Sequence, residues 1–268
     1  MSKIDTLLKS GFRFNKGLGQ NFLSDTNLLS AIALDAGVGE SDIVLEIGVG
    51  AGTLSNELAK KAKKVIAFEI DDNLIPFLKE HLHDNVRLVH KDILKTGHDE
   101  ILELVEGASF KVVANLPYYI TTPIIFYFLE SSLPVSSITI MVQKEVADRM
   151  VAVPKTSDYG ALSLAIKARC NSKITRIVKR NMFIPPPNVD SAVVHMDVVG
   201  EHDKDVAKVI KSLFLMRRKT AINNLMSGAG RTRGQLEEIF KELGFSLMAR
   251  GEEFGIEDIR KLTNALKQ

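Results

Sequence analysis

The chain has 268 residues, of which 35 are Lys or Arg and 33 are Asp or Glu, so its formal charge at pH 7 is +2. Hydrophobic residues make up 45% and charged residues 25%, the composition of an ordinary globular protein. No apolar run reaches the roughly 18 residues that a membrane span needs. The N-terminus lacks the apolar segment of a targeting peptide, and the single cysteine, Cys170, excludes an internal disulfide. We therefore expect a cytoplasmic protein without membrane attachment.

Short β-branched runs alternate with segments of helical period in the first half of the chain. These runs are residues 43–47, 65–68, 86–89, 111–114 and 138–142. Near-continuous apolar character is typical of strands covered on both faces, and the alternation with helices predicts right-handed βαβ units. Two later runs, 174–178 and 191–196, flank Pro185-Pro186-Pro187 and predict a hairpin that adds an antiparallel strand. The expected fold is α/β: a doubly wound, mostly parallel seven-stranded sheet of Rossmann-like type.

The pattern changes near Gly200, where apolar residues begin to recur with helical spacing. Three amphipathic helices are predicted. The first begins after Asp203 or Asp205, the second covers about 236–243 and ends before Gly244, and the third covers about 256–266. The sequence therefore predicts two domains. Residues 1–199 would form the catalytic sheet domain and residues 200–268 a small all-helical domain.

A glycine-rich turn, Glu46-Ile47-Gly48-Val49-Gly50-Ala51-Gly52, follows the first predicted strand. Glycines there let the backbone approach a ligand at the carboxyl edge of the sheet. A dinucleotide fingerprint would need glycine at position 53, which is Thr, and no Gly-Lys-Ser/Thr of a phosphate loop follows. The spacing favours a nucleoside without phosphate, such as S-adenosylmethionine, although such turns are also purely structural in many proteins.

Two acidic residues end the next two predicted strands. Glu69 lies 21 positions after Gly48, close to the offset of about 20 at which a carboxylate meets ribose hydroxyls. Asp92 ends the following strand and could accept a hydrogen bond from an adenine amino group. Either carboxylate alone could equally cap a helix, but together with the turn they predict a cofactor site. The six histidines show no ligand spacing, so we expect no metal.

The fourth predicted strand ends in the tetrad Asn115-Leu116-Pro117-Tyr118. An exocyclic adenine amine is a poor nucleophile because its lone pair is delocalised into the ring. Acceptors on its two N–H bonds favour the tetrahedral geometry that attack on a methyl group requires. The Asn115 side chain and the Leu116 or Pro117 carbonyl could supply them, and the Tyr118 ring could stack on an extruded base. The tetrad predicts methylation of an adenine amino group.

Taken together, these motifs resemble those of the ribosomal RNA adenine N6,N6-dimethyltransferases, most closely the bacterial small-subunit enzymes. The resemblance runs from about Lys16 to the C-terminal helices. Its landmarks are residues 18–23, 46–52, 68–69, 92, 115–118, 143–149, 183–191, 217–220 and 223–225. The chain has Tyr119 where many relatives have Asn, and Val49 where many have Pro.

The resemblance implies an S-adenosylmethionine-dependent enzyme that dimethylates the N6 of two adjacent adenosines in the 3′-terminal hairpin loop of 16S rRNA. Its partner would be the small ribosomal subunit or its precursor, with a further role late in subunit biogenesis. We expect a monomer, S-adenosylmethionine as the methyl donor and no metal. The residues that match the family's cofactor positions are Asn21, Leu23, Gly48, Gly50, Glu69, Asp92 and Asn115. Those that match its target-base site are Asn115, Leu116, Pro117, Tyr118 and Phe183.

Charge is unevenly distributed along the chain. Residues 144–180 carry nine Lys or Arg against three Asp or Glu, a net charge of +6, so the remainder carries −4. A second basic cluster is Arg217-Arg218-Lys219. Such clusters are commonly solvated surface, but beside a base pocket they predict contacts with RNA phosphates. Two alternatives remain open: an erythromycin-resistance type methyltransferase of 23S rRNA, and a binding-only ribosome-assembly factor.

Overall fold

A computed structural model describes residues 3–216, 218–228 and 230–267, with only the backbone described for Lys16. The chain divides into two compact units. The sheet unit comprises the residues up to Ala147 together with Ser172–Val198, and the helical unit comprises Asp148–Asn171 together with the chain from Val199 onward. The second junction lies at the boundary predicted near residue 200. The segment 148–171 differs from that prediction, because Tyr159 and Leu164 are buried in the core of the helical unit.

Nine strands lie in the described ranges. They are β1 Phe22–Leu23, β2 Ile43–Ile47, β3 Lys64–Glu69, β4 Val86–His90, β5 Phe110–Asn115, β6 Val135–Gln143, β7 Cys170–Val178, β8 Phe183–Ile184 and β9 Ser191–Val198. Seven form one sheet in the order β4-β3-β2-β5-β6-β9-β7. The pairings from β4 to β6 are parallel, and β9 is antiparallel to β6. The prediction of a mostly parallel seven-stranded sheet is confirmed.

Twelve α-helices lie in the same ranges. They are α1 Lys3–Lys9, α2 Thr26–Asp35, α3 Thr53–Ala59, α4 Ile75–His81, α5 His98–Leu104, α6 Thr121–Leu129, α7 Lys144–Val151, α8 Ala161–Arg169, α9 Lys204–Leu213, α10 Ala221–Gly228, α11 Arg233–Glu242 and α12 Ile256–Lys267. All five residues of β2 are buried, as expected for a central strand between two helical layers. Within the described residues, no helix is both long enough and apolar enough to cross a bilayer.

The helical unit is built on α9, α10, α11 and α12. The Asp203 side chain accepts hydrogen bonds from the N–H groups of Asp205 and Val206 and so caps α9. The apolar faces of α9, α11 and α12 are buried as the spacing predicts. Helix α10 was not predicted, because its short apolar pattern is interrupted by Asn223 and Asn224.

Candidate active site

A pocket of about 990 Å³, part of it open to solvent, lies at the carboxyl ends of β2, β3, β4 and β5. This edge of the sheet is where open α/β sheets bind ligands. Its walls are the segment 18–23, the glycine turn, the ends of β3 and β4, and residues 115–120. The pocket brings together every predicted cofactor residue, namely Asn21, Leu23, Gly48, Gly50, Glu69, Asp92 and Asn115. It also holds the tetrad residues Leu116, Pro117 and Tyr118.

The glycine turn is shaped by close neighbours as well as by its backbone conformation. Gly48, Gly50 and Gly52 have φ of +76°, +57° and +71°, the region that favours glycine. A Cβ atom at Gly50 would lie 2.9 Å from Cε1 of Phe22. Gly50 is therefore required by the packing of Phe22 against the turn, independently of any ligand.

Glu69 is tied into this turn by three backbone donors. Its Oε2 accepts from the Gly50 N–H at 2.9 Å, and its Oε1 accepts from the N–H groups of Ile70 and Asp71 at 2.8 and 2.9 Å. Burial raises the pKa of this carboxyl, and the three N–H donors offset part of that rise. The carboxylate both fixes the turn and presents its remaining acceptor positions to the pocket.

Asp92 has a structural role in addition to its place in the lining. It precedes the short 3₁₀ turn Ile93–Lys95, and its Oδ1 accepts from the Leu94 N–H at 3.0 Å. Asp92 is therefore a helix cap, as a strand-end carboxylate can be. Its side chain is 36% exposed, so a ligand in the pocket can still reach the carboxylate.

The Asn115 side chain is oriented by the N-terminal segment. Its Nδ2 donates to the Asn21 carbonyl at 3.2 Å, which leaves Oδ1 to accept from another donor. The Pro117 carbonyl already accepts from the Ile120 N–H at 3.2 Å and from the Thr121 hydroxyl at 3.3 Å. Among the described residues, no donor reaches the Leu116 carbonyl. Of the two backbone acceptors considered from sequence, Leu116 is the one that remains for a substrate.

Tyr118 and Phe183 are placed differently. The Tyr118 hydroxyl lies 2.8 Å from Oγ of Ser191, the first residue of β9, and the ring lines the pocket. Phe183 is 3% exposed, faces Leu23 across the β1–β8 pairing, and is not part of the pocket lining. The structure thus brings Tyr118 to the site but places Phe183 behind its wall.

A family model described as "Ribosomal RNA adenine dimethylase" matches residues 11–249 of this chain. The chain belongs to this family. The resemblance that the motifs predicted is therefore confirmed.

Curated relatives match nearly the whole chain. Ribosomal RNA small subunit methyltransferase A of Clostridioides difficile is 45% identical over 98% of this chain and 94% of its own length. The protein of the same name from Bacillus cytotoxicus is 44% identical, with the same two coverages. At 44–45% identity over nearly the whole chain, both relatives share the family and the fold of this protein.

Two solved structures share the fold. The dimethyladenosine transferase from Plasmodium falciparum superposes with a TM-score of 0.76 and 27% identity, over 90% of this chain and 95% of that one. The 23S rRNA methyltransferase ErmE superposes with a TM-score of 0.69 and 27% identity, over 92% of this chain and 100% of that one. A dimethyladenosine transferase and a 23S rRNA methyltransferase therefore both have this architecture.

Two contacts in this dimethylase pocket were not predicted from the sequence. Nε2 of Gln20 donates to Oδ2 of Asp71 at 2.5 Å and fastens the segment 18–23 to the loop after β3. Ser191 fixes the Tyr118 hydroxyl from β9, although the sequence analysis gave it no role. Asp71 is 4% exposed, and a second acidic residue two positions after Glu69 was the available signal.

The basic stretch 144–180 is less free than its charge suggests. Arg169 is 7% exposed and donates to the Gly200 carbonyl at 3.2 Å. Arg176 pairs with Asp35 at 2.6 Å, and Lys179 pairs with Asp190 at 2.8 Å. Arg169, Arg176 and Lys179 thus make contacts within the protein, and Arg217 of the second cluster lies outside the described residues. No group of three or more possible metal ligands occurs within the described ranges.

Proposed function

We propose that this ribosomal RNA adenine dimethylase transfers methyl groups from S-adenosylmethionine to the N6 of two adjacent adenosines in the 3′-terminal hairpin loop of 16S rRNA. Its substrate would be the small ribosomal subunit or its precursor, and it would act as a cytoplasmic monomer. The observation that carries the proposal is the meeting, in one pocket, of the tetrad 115–118 with the strand-end carboxylates Glu69 and Asp92.

The chemistry of the donor groups fits the cofactor. Glu69 is held by three N–H donors on the pocket wall, so its remaining acceptor positions suit ribose hydroxyls. Asp92 Oδ1 caps the 3₁₀ turn, so Oδ2, which lies 3.9 Å from Lys95 Nζ on an exposed side chain, would accept from an adenine amino group. Phosphate would be repelled by these carboxylates, which agrees with a cofactor that carries none. When bound, the cofactor supplies a methyl carbon on a sulfonium, and the C–S electron pair stays with sulfur as the N–C bond forms.

The tetrad would prepare the target amine. Asn115 Oδ1 and the Leu116 carbonyl are the two acceptors that the local hydrogen bonds leave for the two N–H groups of N6. Accepting from both N–H groups draws the nitrogen toward tetrahedral geometry and frees its lone pair. The Tyr118 ring, fixed through Ser191, would stack on the extruded base. Phe183 would support the wall of this site through Leu23.

No general base is needed before the transfer. The alkylated amine carries a positive charge and is strongly acidic, so it loses its proton to water after the N–C bond has formed. This explains why position 115 can be Asn, a neutral acceptor, where a base would require a titratable group.

The choice of the small subunit over the large one follows from the relatives. The proteins at 44–45% identity carry small-subunit names, whereas the large-subunit methyltransferase ErmE is 27% identical. We therefore prefer 16S rRNA to 23S rRNA as the substrate.

The test uses purified protein, labelled S-adenosylmethionine and ribosomal subunits from cells that lack the small-subunit modification. We expect label only in small subunits, with mass spectrometry reading dimethyladenosine in the 3′-terminal hairpin. Label in large subunits would favour the erythromycin-resistance type, and no label in either would refute the proposal. Asn115→Ala is the control that should bind subunits without methylating them.

The binding-only alternative is separated by complementation. If assembly, rather than methylation, is the main role, Asn115→Ala should restore normal subunit maturation in those cells. We expect it to leave the adenosines unmethylated, and the maturation profile then measures how far assembly depends on binding alone.

A further inference from the structure

Tyr119 follows the tetrad and has a different environment from its neighbour. Tyr118 is committed through its hydroxyl to Ser191. Tyr119 also lines the pocket but is 55% exposed, which is unusual for a ring that borders a binding site. The two adjacent tyrosines therefore serve different parts of the pocket.

The Tyr119 ring lies against the N-terminal wall. A Cβ atom at Gly19 would be 3.6 Å from Cδ1 and 3.7 Å from Cε1 of Tyr119, ordinary van der Waals distances. Gly19 belongs to the segment 18–23, which Gln20 fastens to Asp71 beyond β3. The ring and this segment thus pack together at the edge of the pocket.

Tyr119 lines the same pocket as Asp92 and Glu69, and their charges act on its hydroxyl. Burial is the main cause that raises the pKa of its hydroxyl, and the carboxylates of Asp92 and Glu69 raise it further. These are the groups assigned above to the adenine and the ribose. The pKa of Tyr118 is also raised by burial, but no carboxylate contributes to that rise.

We propose that Tyr119 is a cofactor-retention residue, whose ring covers the nucleoside half of the pocket from its place beside Gly19. The inference rests on the proposed function, since it takes the nucleoside to be that of S-adenosylmethionine. Dimethylation of one base needs two molecules of S-adenosylmethionine, so S-adenosylhomocysteine must leave the pocket between the two transfers. A ring over the nucleoside slows this exchange and holds each cofactor longer.

The substitution Tyr119→Asn removes the ring and leaves a short polar side chain. We expect the Kd for S-adenosylmethionine and for S-adenosylhomocysteine to rise about tenfold, in the range for loss of an aromatic ring from a base contact. The KM for the cofactor should rise with the Kd, whereas turnover at saturating cofactor should fall much less. Isothermal titration and initial rates measure these quantities.

Two further variants make the result decisive. Tyr119→Phe keeps the ring and should weaken binding less than threefold; an equal loss in both variants would overturn the role of the ring and assign retention to the hydroxyl. Leu34→Asn, at a 67% exposed position on α2 outside the lining, controls for an exposed apolar-to-Asn change. An unchanged Kd in Tyr119→Asn overturns the inference. If the unmodified protein binds no S-adenosylmethionine, the proposed function fails instead.

Discussion

The two units of this protein use motif asparagines in opposite ways. In the sheet unit, Asn115 lies at a strand end, lines the pocket, and has one amide atom left for a ligand. In the helical unit, Asn224 is 1% exposed, and its amide bonds only to backbone. Its Nδ2 donates to the carbonyls of Leu213 and Met216, and its Oδ1 accepts from the Met216 N–H.

One asparagine of the family motifs therefore serves the chemistry of the pocket, and the other serves the folding of the helical unit. Both asparagines belong to motifs that carry the resemblance, yet only Asn115 can meet a substrate. Asn224 instead pairs the Leu213 carbonyl at the C-terminal end of α9 and the backbone of Met216 just beyond it. Substituting the two residues should therefore affect different measurements.

The largest effect is expected for Asn115→Ala. The variant loses an acceptor that acts on the reacting amine, so kcat should fall on the order of 100-fold, as for other preorganised polar groups at a reaction centre. Initial rates of methyl transfer to small subunits measure this loss. Thermal unfolding should stay close to that of the unmodified protein, and a large loss of stability would mean that Asn115 resembles Asn224.

Glu46 breaks the pattern of the sheet unit, because it is polar, fully buried and outside the pocket lining. Among the described residues neither of its carboxylate oxygens has a hydrogen-bond partner. Burial raises the pKa of Glu46 from 4.5 to about 8. The charge of Glu69 adds to this rise. The nearby Ser55 lowers the pKa in part, although its hydroxyl does not form a hydrogen bond with the carboxylate.

The pH dependence follows from the sign of this shift. The folded state holds the Glu46 proton over a pH range in which the unfolded state has lost it, so stability falls as pH rises from about 5 to 8. In the unmodified protein the free energy of unfolding should fall by up to roughly 1 kcal/mol per pH unit over this range, and Glu46→Gln should remove that fall. Denaturant titrations across this range measure the difference between variant and unmodified protein, which should grow with pH.

Glu57→Gln is the matched control for this pH series. Glu57 is paired with Lys60 and accepts from Ser30 at 2.7 Å, and these partners hold its pKa below the usual value although burial opposes them. Its contribution to stability is present above the unfolded pKa and is lost as pH falls. A growing difference at high pH in both variants would contradict the assignment to Glu46.

Asn224→Ala should reduce stability by roughly 2 kcal/mol, because the Leu213 carbonyl and the Met216 N–H lose their partner. The Met216 carbonyl keeps the Lys219 N–H as a second donor. Chemical denaturation monitored by circular dichroism checks this value. Asn223→Ala, at the half-buried neighbouring position, controls for the change in helix α10 and should cost much less. If Asn224→Ala abolishes methylation while leaving stability intact, the contrast with Asn115 is wrong.

The smallest effect is expected for Tyr118→Phe. The ring stays, so methylation should fall only about twofold to threefold, while Ser191 loses its hydroxyl partner at a cost of about 1 kcal/mol. Tyr118→Ala should reduce methylation at least tenfold by removing the stacking face. Equal activities of the two variants would argue against base stacking at this position.

Much of the sheet could be predicted from the sequence because burial on both faces demands unbroken apolar runs. The run 43–47 coincides with β2, and 111–114 lies within β5, extended by one residue at each end. Once the strands are predicted, their carboxyl ends are known, and these ends bring Glu69, Asp92 and Asn115 together. Periodicity likewise predicted α9, α11 and α12, each of which has one continuous apolar face.

Other features depend on contacts between distant residues that no local pattern encodes. The two-residue strands β1 and β8 are too short for a period, and they exist because Phe22 and Leu23 meet Ile184 and Phe183. The resemblance matched Phe183 to the target base, yet this pairing buries it. The choice of Leu116 over Pro117 as an acceptor likewise required the hydrogen bonds that Pro117 accepts from Ile120 and Thr121.

The β1–β8 pairing also bears on how the protein is made. One pocket wall, the segment 18–23, is anchored by residues 183 and 184, which the ribosome adds some 160 positions later. Chains fold from the N-terminus during synthesis at about 5–20 residues per second. The glycine turn and its carboxylates can thus assemble many seconds before this last anchor of the wall forms, and a nascent chain acquires the finished pocket only after residue 184 has left the exit tunnel.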